Sequence, residues 1–383
     1  MSDLDQIIRD EIAARGPMDF ARYMELALYH PQHGYYSSGH HRTGWRGDFV
    51  TSSELDPAFG ELWATAFEQI WDACGRPDSF DLVEVGPGEG SFAAAVLGAA
   101  SGDFVRALRV QLVERVETVR RRQREVLAEF DNVSWAADIN DVPTTGAACV
   151  FANEVVDNMP VALIEERGGR LVELCVDVVE AELALVERPA ADEFVRFVAG
   201  RGGSLPEGHR AEIPVGALEF AATSAALVRE GAVVIVDYGD RQDALFERPG
   251  GTLVCYSAAG VDDRLLERPG TKDITAHANW TALARAFRAG GARTAGPRPQ
   301  RDVLRSLGIG ALEHRLRSEA ADALARGSGT GAVRAMSRRG ALGALLDPGG
   351  LGGLGVLAAL KDISEPGFIR VARPPTDLGQ TDP

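Results

Sequence analysis

The residues best equipped for chemistry fall in two short segments. In the first, an apolar run ends at Glu84-Val85 and passes into Gly86-Pro87-Gly88-Glu89-Gly90, which opens a helical stretch. Gly86, Gly88 and Gly90, with Pro87 between them, let a ligand approach the backbone, and a helix N-terminus offers N–H groups to an anion such as a carboxylate. A dinucleotide fingerprint reads G-x-G-x-x-G; here the third glycine comes one residue early. Glu84 would also set negative charge against a diphosphate. The turn matches instead a ligand with an ammonium beside a carboxylate, as in the methionine moiety of S-adenosylmethionine. Glu114 closes the next apolar run, where an acid at a sheet edge accepts from two ribose hydroxyls. Asp138 follows a strand expected over 133–136 and is placed to accept from an adenine amino group, with Asp141 as its competitor.

The second segment is Phe151-Ala152-Asn153-Glu154-Val155-Val156-Asp157-Asn158-Met159-Pro160. Two carboxylates and an amide within five residues are costly to bury without a cation or hydrogen-bond donors. A positively charged acceptor would supply one; the ordinary structural alternative makes Asp157 a helix N-cap and leaves Glu154 solvated. Residues 33–53 carry four glycines and four aromatics without a sustained period, which reads as an ordered functional loop. Tyr35, Tyr36, Asp48 and Phe49, with Trp45, make it the natural lid. His30, His33, His40 and His41 crowd the same region, yet no Cys or helical spacing accompanies them, so no metal site is expected.

The elements that must position these residues alternate. Apolar runs at 81–85, 109–114, 147–153 and 231–239 are separated by helical spacing, which implies βαβ units and a parallel sheet. Helices are expected over 4–12, 20–28, 54–71, 280–289, 303–317 and 332–346, a hairpin or edge pair over 171–187, and a late strand at 355–360. The division that follows is an N-terminal helical and lid segment (1–76), a core (77–185 and 229–372), an inserted helix and loop segment (186–228), and a flexible tail (373–383). The Gly/Leu-rich stretch 340–355 leaves two readings open, a buried helical hairpin or an association surface for a homodimer.

Composition narrows the classes. The chain has 383 residues, 45% hydrophobic and 25% charged, enough for a real core, and its formal net charge of −16 disfavours a nucleic-acid groove. Cys74, Cys149, Cys175 and Cys255 are too scattered for a zinc ribbon or disulfide framework. The charged N-terminus has no apolar signal core, and 340–360 is too broken by Gly, Asp and Pro to span a membrane. The expected location is the cytoplasm.

Taken in order, the glycine motif, NE-x-x-D-x-x-P (153–160), GP-x-x-F-x-x-YM-x-x-AL-x-x-P-x-x-GYY (16–36), GDF-x-T (47–51) and PG-x-x-DITAH (269–277) resemble the MidA-like family of S-adenosylmethionine-dependent methyltransferases. Its mitochondrial members are complex I assembly factors that act as protein arginine methyltransferases, and the resemblance covers roughly residues 7–360. It implies an α/β fold, a Rossmann-like seven-stranded class I methyltransferase core with an added mainly helical subdomain, and S-adenosyl-L-methionine as cofactor. The family's usual Arg is Glu89 here, its aromatics are Val155 and Val156, and Asn158-Met159 replace a small residue and Leu. These departures reshape the apolar wall of the site. The expected activity is N-methylation of a protein arginine, with a small-molecule acceptor as one alternative and a non-catalytic assembly factor as another.

A guanidinium stays charged, so a carboxylate must hold it and bias its electron density toward one nitrogen. Glu154 is expected as that clamp, Asp157 as its assistant, and Asn153, which also borders the cofactor, as acceptor from the reacting nitrogen. A hydroxyl acceptor would instead need a general base, for which His277 is the candidate.

Overall fold

Short runs of Val, Leu, Ile and Ala that are buried on both faces build the centre of the molecule, as parallel strands require. A computed structural model of the chain describes residues 2–37, 51–143, 146–200 and 205–370. Its main sheet contains β1 (Phe80–Val85), β2 (Leu108–Val113), β3 (Val133–Ala136), β4 (Ala147–Asn153), β5 (Glu230–Asp237), β6 (Arg293–Pro299) and β7 (Gly355–Lys361). The order is β6-β7-β5-β4-β1-β2-β3. The strands from β3 to β5 run parallel, and β7 is antiparallel to both β5 and β6. This is the expected Rossmann-like architecture. Strand β6 was not anticipated, because Arg293–Pro299 has no apolar run; it is an edge strand whose register slips between Ala295 and Arg298.

Register fixes what meets at the sheet's carboxyl edge. Val85 pairs with Val113 and with Ala152, and Val236 pairs with Asn153. Gly86, Glu114, Glu154 and Asp237 therefore all leave the sheet at one level. The strand order reverses between β1 and β4, which is where open α/β sheets bind their ligands.

One face of the sheet is covered by an aromatic cluster. Phe151 on β4 stacks on Phe92 with centroids 4.9 Å apart and packs against Trp63 at 4.7 Å and Phe67 at 5.3 Å. Trp63 and Phe67 come from the helix Ala58–Ala73, whose start after Asp56-Pro57 splits the helix expected over 54–71. The other face packs against the helices Val215–Leu227 and Trp280–Ala289. The helices Ile309–Ala325 and Gly329–Leu346 form a hairpin, and Leu342, Leu345 and Leu354 of the Gly/Leu-rich stretch lie in the core.

A second sheet of five strands stands beside the first. The expected hairpin is present as Arg170–Val179 and Glu182–Pro189, turned through Glu180 and Ala181 at φ 50° and 70°, the mirror-image turn that fits strand twist. It pairs with Ala162–Arg167, which pairs with Arg210–Ile213, and with the short Met18–Asp19. The added subdomain is thus this sheet together with the helices Asp3–Arg15 and Phe20–Tyr29. Both helices fall where their periodicity predicts; the first begins with Ser2 Oγ accepting from the Asp5 amide and stops at Gly16, φ 84°. Arg210–Ile213, read as loop, is a strand because four residues carry too little pattern to declare it.

Phe151→Ala would leave a hole among Trp63, Phe67 and Phe92. It is expected to cost about 3–5 kcal/mol, read as a fall in the denaturant midpoint with unchanged slope.

Candidate active site

Two connected cavities occupy the sheet's carboxyl edge. The larger, about 560 Å³, lies over the glycine turn and is lined by Gly86, Gly88, Glu114, Asp138, Asn153 and Glu154 together with Tyr29, Tyr36 and other side chains. The turn can take only this shape with glycine: Gly86 has φ 67°, and a Cβ there would stand 2.7 Å from Val155 Cγ2. Gly90, at φ 85°, caps the helix Ser91–Ala99, and Gln123 Nε2 donates to Gly88 O at 2.7 Å, tying the turn to the neighbouring helix. Pro87 is buried beneath the turn and lines neither cavity.

Glu84 stands one strand residue below. It is 5% exposed, and among the described residues its Oε2 has no hydrogen-bond partner. Burial pushes its carboxyl up to about 8. Glu114 is half-buried at the mouth of β2, with Oε1 accepting from the Val116 amide at 2.8 Å, and burial raises its pKa too. Asp138 accepts from the Asn140 amide at 2.9 Å and from its side chain at 2.8 Å, which holds it ionised in the cavity wall; its competitor Asp141 is exposed and lines neither cavity.

The segment after β4 makes a tight turn that one side chain holds in place. Asp237, at the end of β5, is fully buried, and its Oδ2 accepts from three consecutive amides, Val155 (3.3 Å), Val156 (2.8 Å) and Asp157 (3.1 Å). Its Oδ1 accepts from the Tyr238 amide at 2.8 Å. Glu154 enters this turn with φ 52°, a left-handed conformation that costs a non-glycine residue about 1–3 kcal/mol. Its Oε1 accepts from the Ser52 amide at 2.8 Å and from Asn153 Nδ2 at 3.2 Å. The other amide atom, Asn153 Oδ1, is buried and has no partner among the described residues.

Beyond this turn a side pocket of about 130 Å³ is lined by Glu154, Asp157, Tyr238, Tyr256, Asp273 and His277, among others, and meets the larger cavity at Glu154 and Asn158. Asp157 is 8% exposed and is not a solvated helix cap. Burial, then Asp237, Asp273 and Glu154, raise its pKa well above the carboxylate range. Asp237 is pushed up to about 7 by burial and by Glu154. His277 is half-buried with Nδ1 3.4 Å from Arg248 Nη1, and burial with that guanidinium lowers its pKa. A guanidinium can only donate, so Nδ1 accepts and the neutral ring carries its proton on Nε2. In that tautomer neither ring nitrogen keeps a free lone pair, which does not suit the base role expected of His277.

Of the lid residues, Tyr36 lines the larger cavity and donates to Asp273 Oδ1 at 3.0 Å. Tyr35 is fully buried in the subdomain core and lines neither cavity. Asp48, Phe49 and Trp45 lie outside the described residues. Tyr29 stacks on Tyr36, donates to Asn158 O at 3.1 Å, and carries the Arg115 guanidinium over its ring at 5.3 Å. Sequence reasoning passed over Asp237, Asp273, Ser52, Tyr238 and Tyr256. Asp237 had a usable signal: like Glu84 and Glu114, it is an acid closing an apolar run.

Residues 62–298 match a family model described as "Putative S-adenosyl-L-methionine-dependent methyltransferase". A mouse protein named "Protein arginine methyltransferase NDUFAF7, mitochondrial" is 30% identical over 340 residues, covering 78% of this chain and 72% of that one. Its human counterpart is 28% identical over 331 residues, with 78% and 72% covered. A crystal structure from Burkholderia thailandensis, described as a "likely methyl transferase" bound to S-adenosyl-homocysteine, superposes with TM-score 0.83 at 30% identity, covering 96% of this chain and 94% of that one. The mitochondrial names of the curated relatives overturn the cytoplasmic location expected from the N-terminus, since that expectation rested only on the lack of a recognisable signal.

The raised carboxyls have a sign that can be measured. Between an unfolded Glu near 4.3 and the folded value of about 8, the native chain binds the extra proton, so stability is full at low pH and falls as pH rises through that window. Asp237 adds to the same trend. Glu84→Gln, neutral throughout, is expected to narrow the difference in urea midpoint between about pH 5 and about pH 8; an undiminished difference refutes the assignment.

Proposed function

Since the chain belongs to the family described as S-adenosyl-L-methionine-dependent methyltransferases, we propose that the methyl group it transfers goes to a nitrogen of a protein arginine. The enzyme is a methyltransferase and its cofactor is S-adenosyl-L-methionine. When bound, that cofactor supplies an electrophilic methyl group on a sulfonium sulfur.

The residues present fit it. Glu84, buried with an unpartnered oxygen, suits an ammonium group; the glycine turn with the N-terminus of the helix Ser91–Ala99 suits the adjoining carboxylate. Glu114 is placed for the ribose hydroxyls and Asp138 for the adenine amino group. Asn153 lines the larger cavity and its Oδ1 has no partner among the described residues, which suits an acceptor from the reacting nitrogen.

The observation that carries the arginine reading is the side pocket. Three acids, Glu154, Asp157 and Asp273, line it together with Tyr238 and Tyr256, and such a set suits a delocalised cation by charge pairing and by contact with aromatic rings. Its volume of about 130 Å³ is well below the several hundred Å³ of drug-sized sites. It suits one side-chain head group. The relatives' name, protein arginine methyltransferase, supports the same reading.

In this reading the chain's task is positioning. Glu154, fixed by the Ser52 amide and Asn153, holds the guanidinium and turns one of its nitrogens toward the larger cavity. Tyr29 and Tyr36 close that cavity from the subdomain side and exclude water.

Glu154→Gln keeps an oxygen for the Ser52 amide and loses only the charge. It is expected to lower kcat/KM for an arginine peptide about 100-fold in an assay with radiolabelled cofactor, while calorimetry shows S-adenosylhomocysteine affinity unchanged. Full retained activity would remove Glu154 from the clamp.

A further inference from the structure

Methylating a guanidinium leaves one proton to be placed, and only a group facing the bound acceptor can receive it. We propose that the carboxylate of Asp157 is the proton acceptor, a task separate from the Glu154 clamp; this rests on the arginine reading above. Asp157 lines the side pocket, is more than nine-tenths buried, and among the described residues its Oδ1 accepts no hydrogen bond. The other candidates are committed. Glu154 Oε1 is engaged by Ser52 and Asn153. Asp237 is saturated by four amides. Asp273 Oδ1 already accepts from Tyr36 and from Asn158 Nδ2, at 3.0 and 2.9 Å. His277 Nδ1 is engaged by Arg248 and its other ring nitrogen carries the proton.

The step balances. The acceptor nitrogen bonds to the methyl carbon as the carbon–sulfur bond breaks with its electron pair left on sulfur, and the N–H proton passes to the Asp157 carboxylate. The methylated guanidinium keeps its single positive charge, sulfur becomes neutral, and the carboxylate becomes a carboxylic acid that later releases its proton to solvent.

The surroundings favour this exchange. Asp157 is faced by Glu154 from its own turn, Asp237 from β5, Asp273 from the strand Asp273–Thr275, the phenols of Tyr29, Tyr36, Tyr238 and Tyr256, and the neutral His277. Burial and these carboxylates strengthen its hold on a proton well beyond that of an exposed Asp, which makes it the stronger base.

Asp157→Asn separates this role from a structural one. A residue kept for the fold loses stability when changed; an acid whose pKa folding raises gains stability above the unfolded pKa when made neutral. The unloaded variant is therefore expected to melt higher than wild type at about pH 8, with the gap closing toward about pH 4 as Asp157 of the unfolded wild type protonates too. S-adenosylhomocysteine affinity by calorimetry should be unchanged. Methylation of an arginine peptide should fall about 100- to 10,000-fold in kcat, with KM little altered. A variant that melts lower and loses cofactor affinity overturns the proposal in favour of a structural Asp157. An active wild type with an equally active variant overturns the proton assignment alone, whereas a wild type that transfers no methyl to arginine overturns the arginine reading and this inference together.

Discussion

The site depends on one buried carboxylate and the amides it gathers. Asp237 takes the N–H groups of residues 155, 156 and 157 onto a single oxygen. Four charge-assisted hydrogen bonds are what make a fully buried acid tolerable at this position. In return they fold the chain after β4 into a turn that free peptide would avoid, with Glu154 in the left-handed region. Because Glu154 is forced out at the strand's end and Asp157 is pulled inward three residues later, both carboxylates reach one small pocket. Without the Asp237 anchor the same residues would follow an ordinary loop and disperse.

That anchor concentrates negative charge, and the rest of the structure is arranged around the cost. Glu84, Asp157 and Asp237 all have pKa values raised chiefly by burial. Such groups destabilise the unloaded protein near neutrality, and a cationic ligand offsets that penalty. In the proposed reading an ammonium beside Glu84 and a guanidinium held by Glu154 would be the same electrostatic solution applied twice. The opposite sheet face, with its interlocked aromatic cluster, provides rigid backing for β4 while this strain is held at its end.

The second sheet and its two helices complete the enclosure. Tyr29, at the end of the helix Phe20–Tyr29, reaches the backbone of Asn158 and lies under Arg115, which follows the proposed ribose acid Glu114. Tyr36 reaches Asp273. One pair of stacked rings therefore touches the walls of the larger cavity and of the side pocket.

Much of this was legible in the sequence. Apolar runs closed by acids or glycines declared the central strands, because a strand buried on both faces admits few polar residues before its end; the glycine turn, Glu114 and the NE-x-x-D segment were found by that rule. Edge strands such as Arg293–Pro299 and Arg210–Ile213 escaped it, since one solvated edge relaxes the pattern. Tyr35 and Tyr36 could not be told apart by composition, and only packing sent one ring into the core and the other to the cavity. His277 looked like a base until the neighbouring Arg248 fixed its tautomer. The sequence by itself determined the parallel sheet, the glycine turn and the polar residues beside it, since these follow from local periodicity and short spacing. Only the tertiary structure decided that Asp237, Asp273 and Ser52, separated by scores of residues, converge on Glu154 and Asp157, because strand register and the docking of the second sheet are set by long-range contacts that no local spacing records.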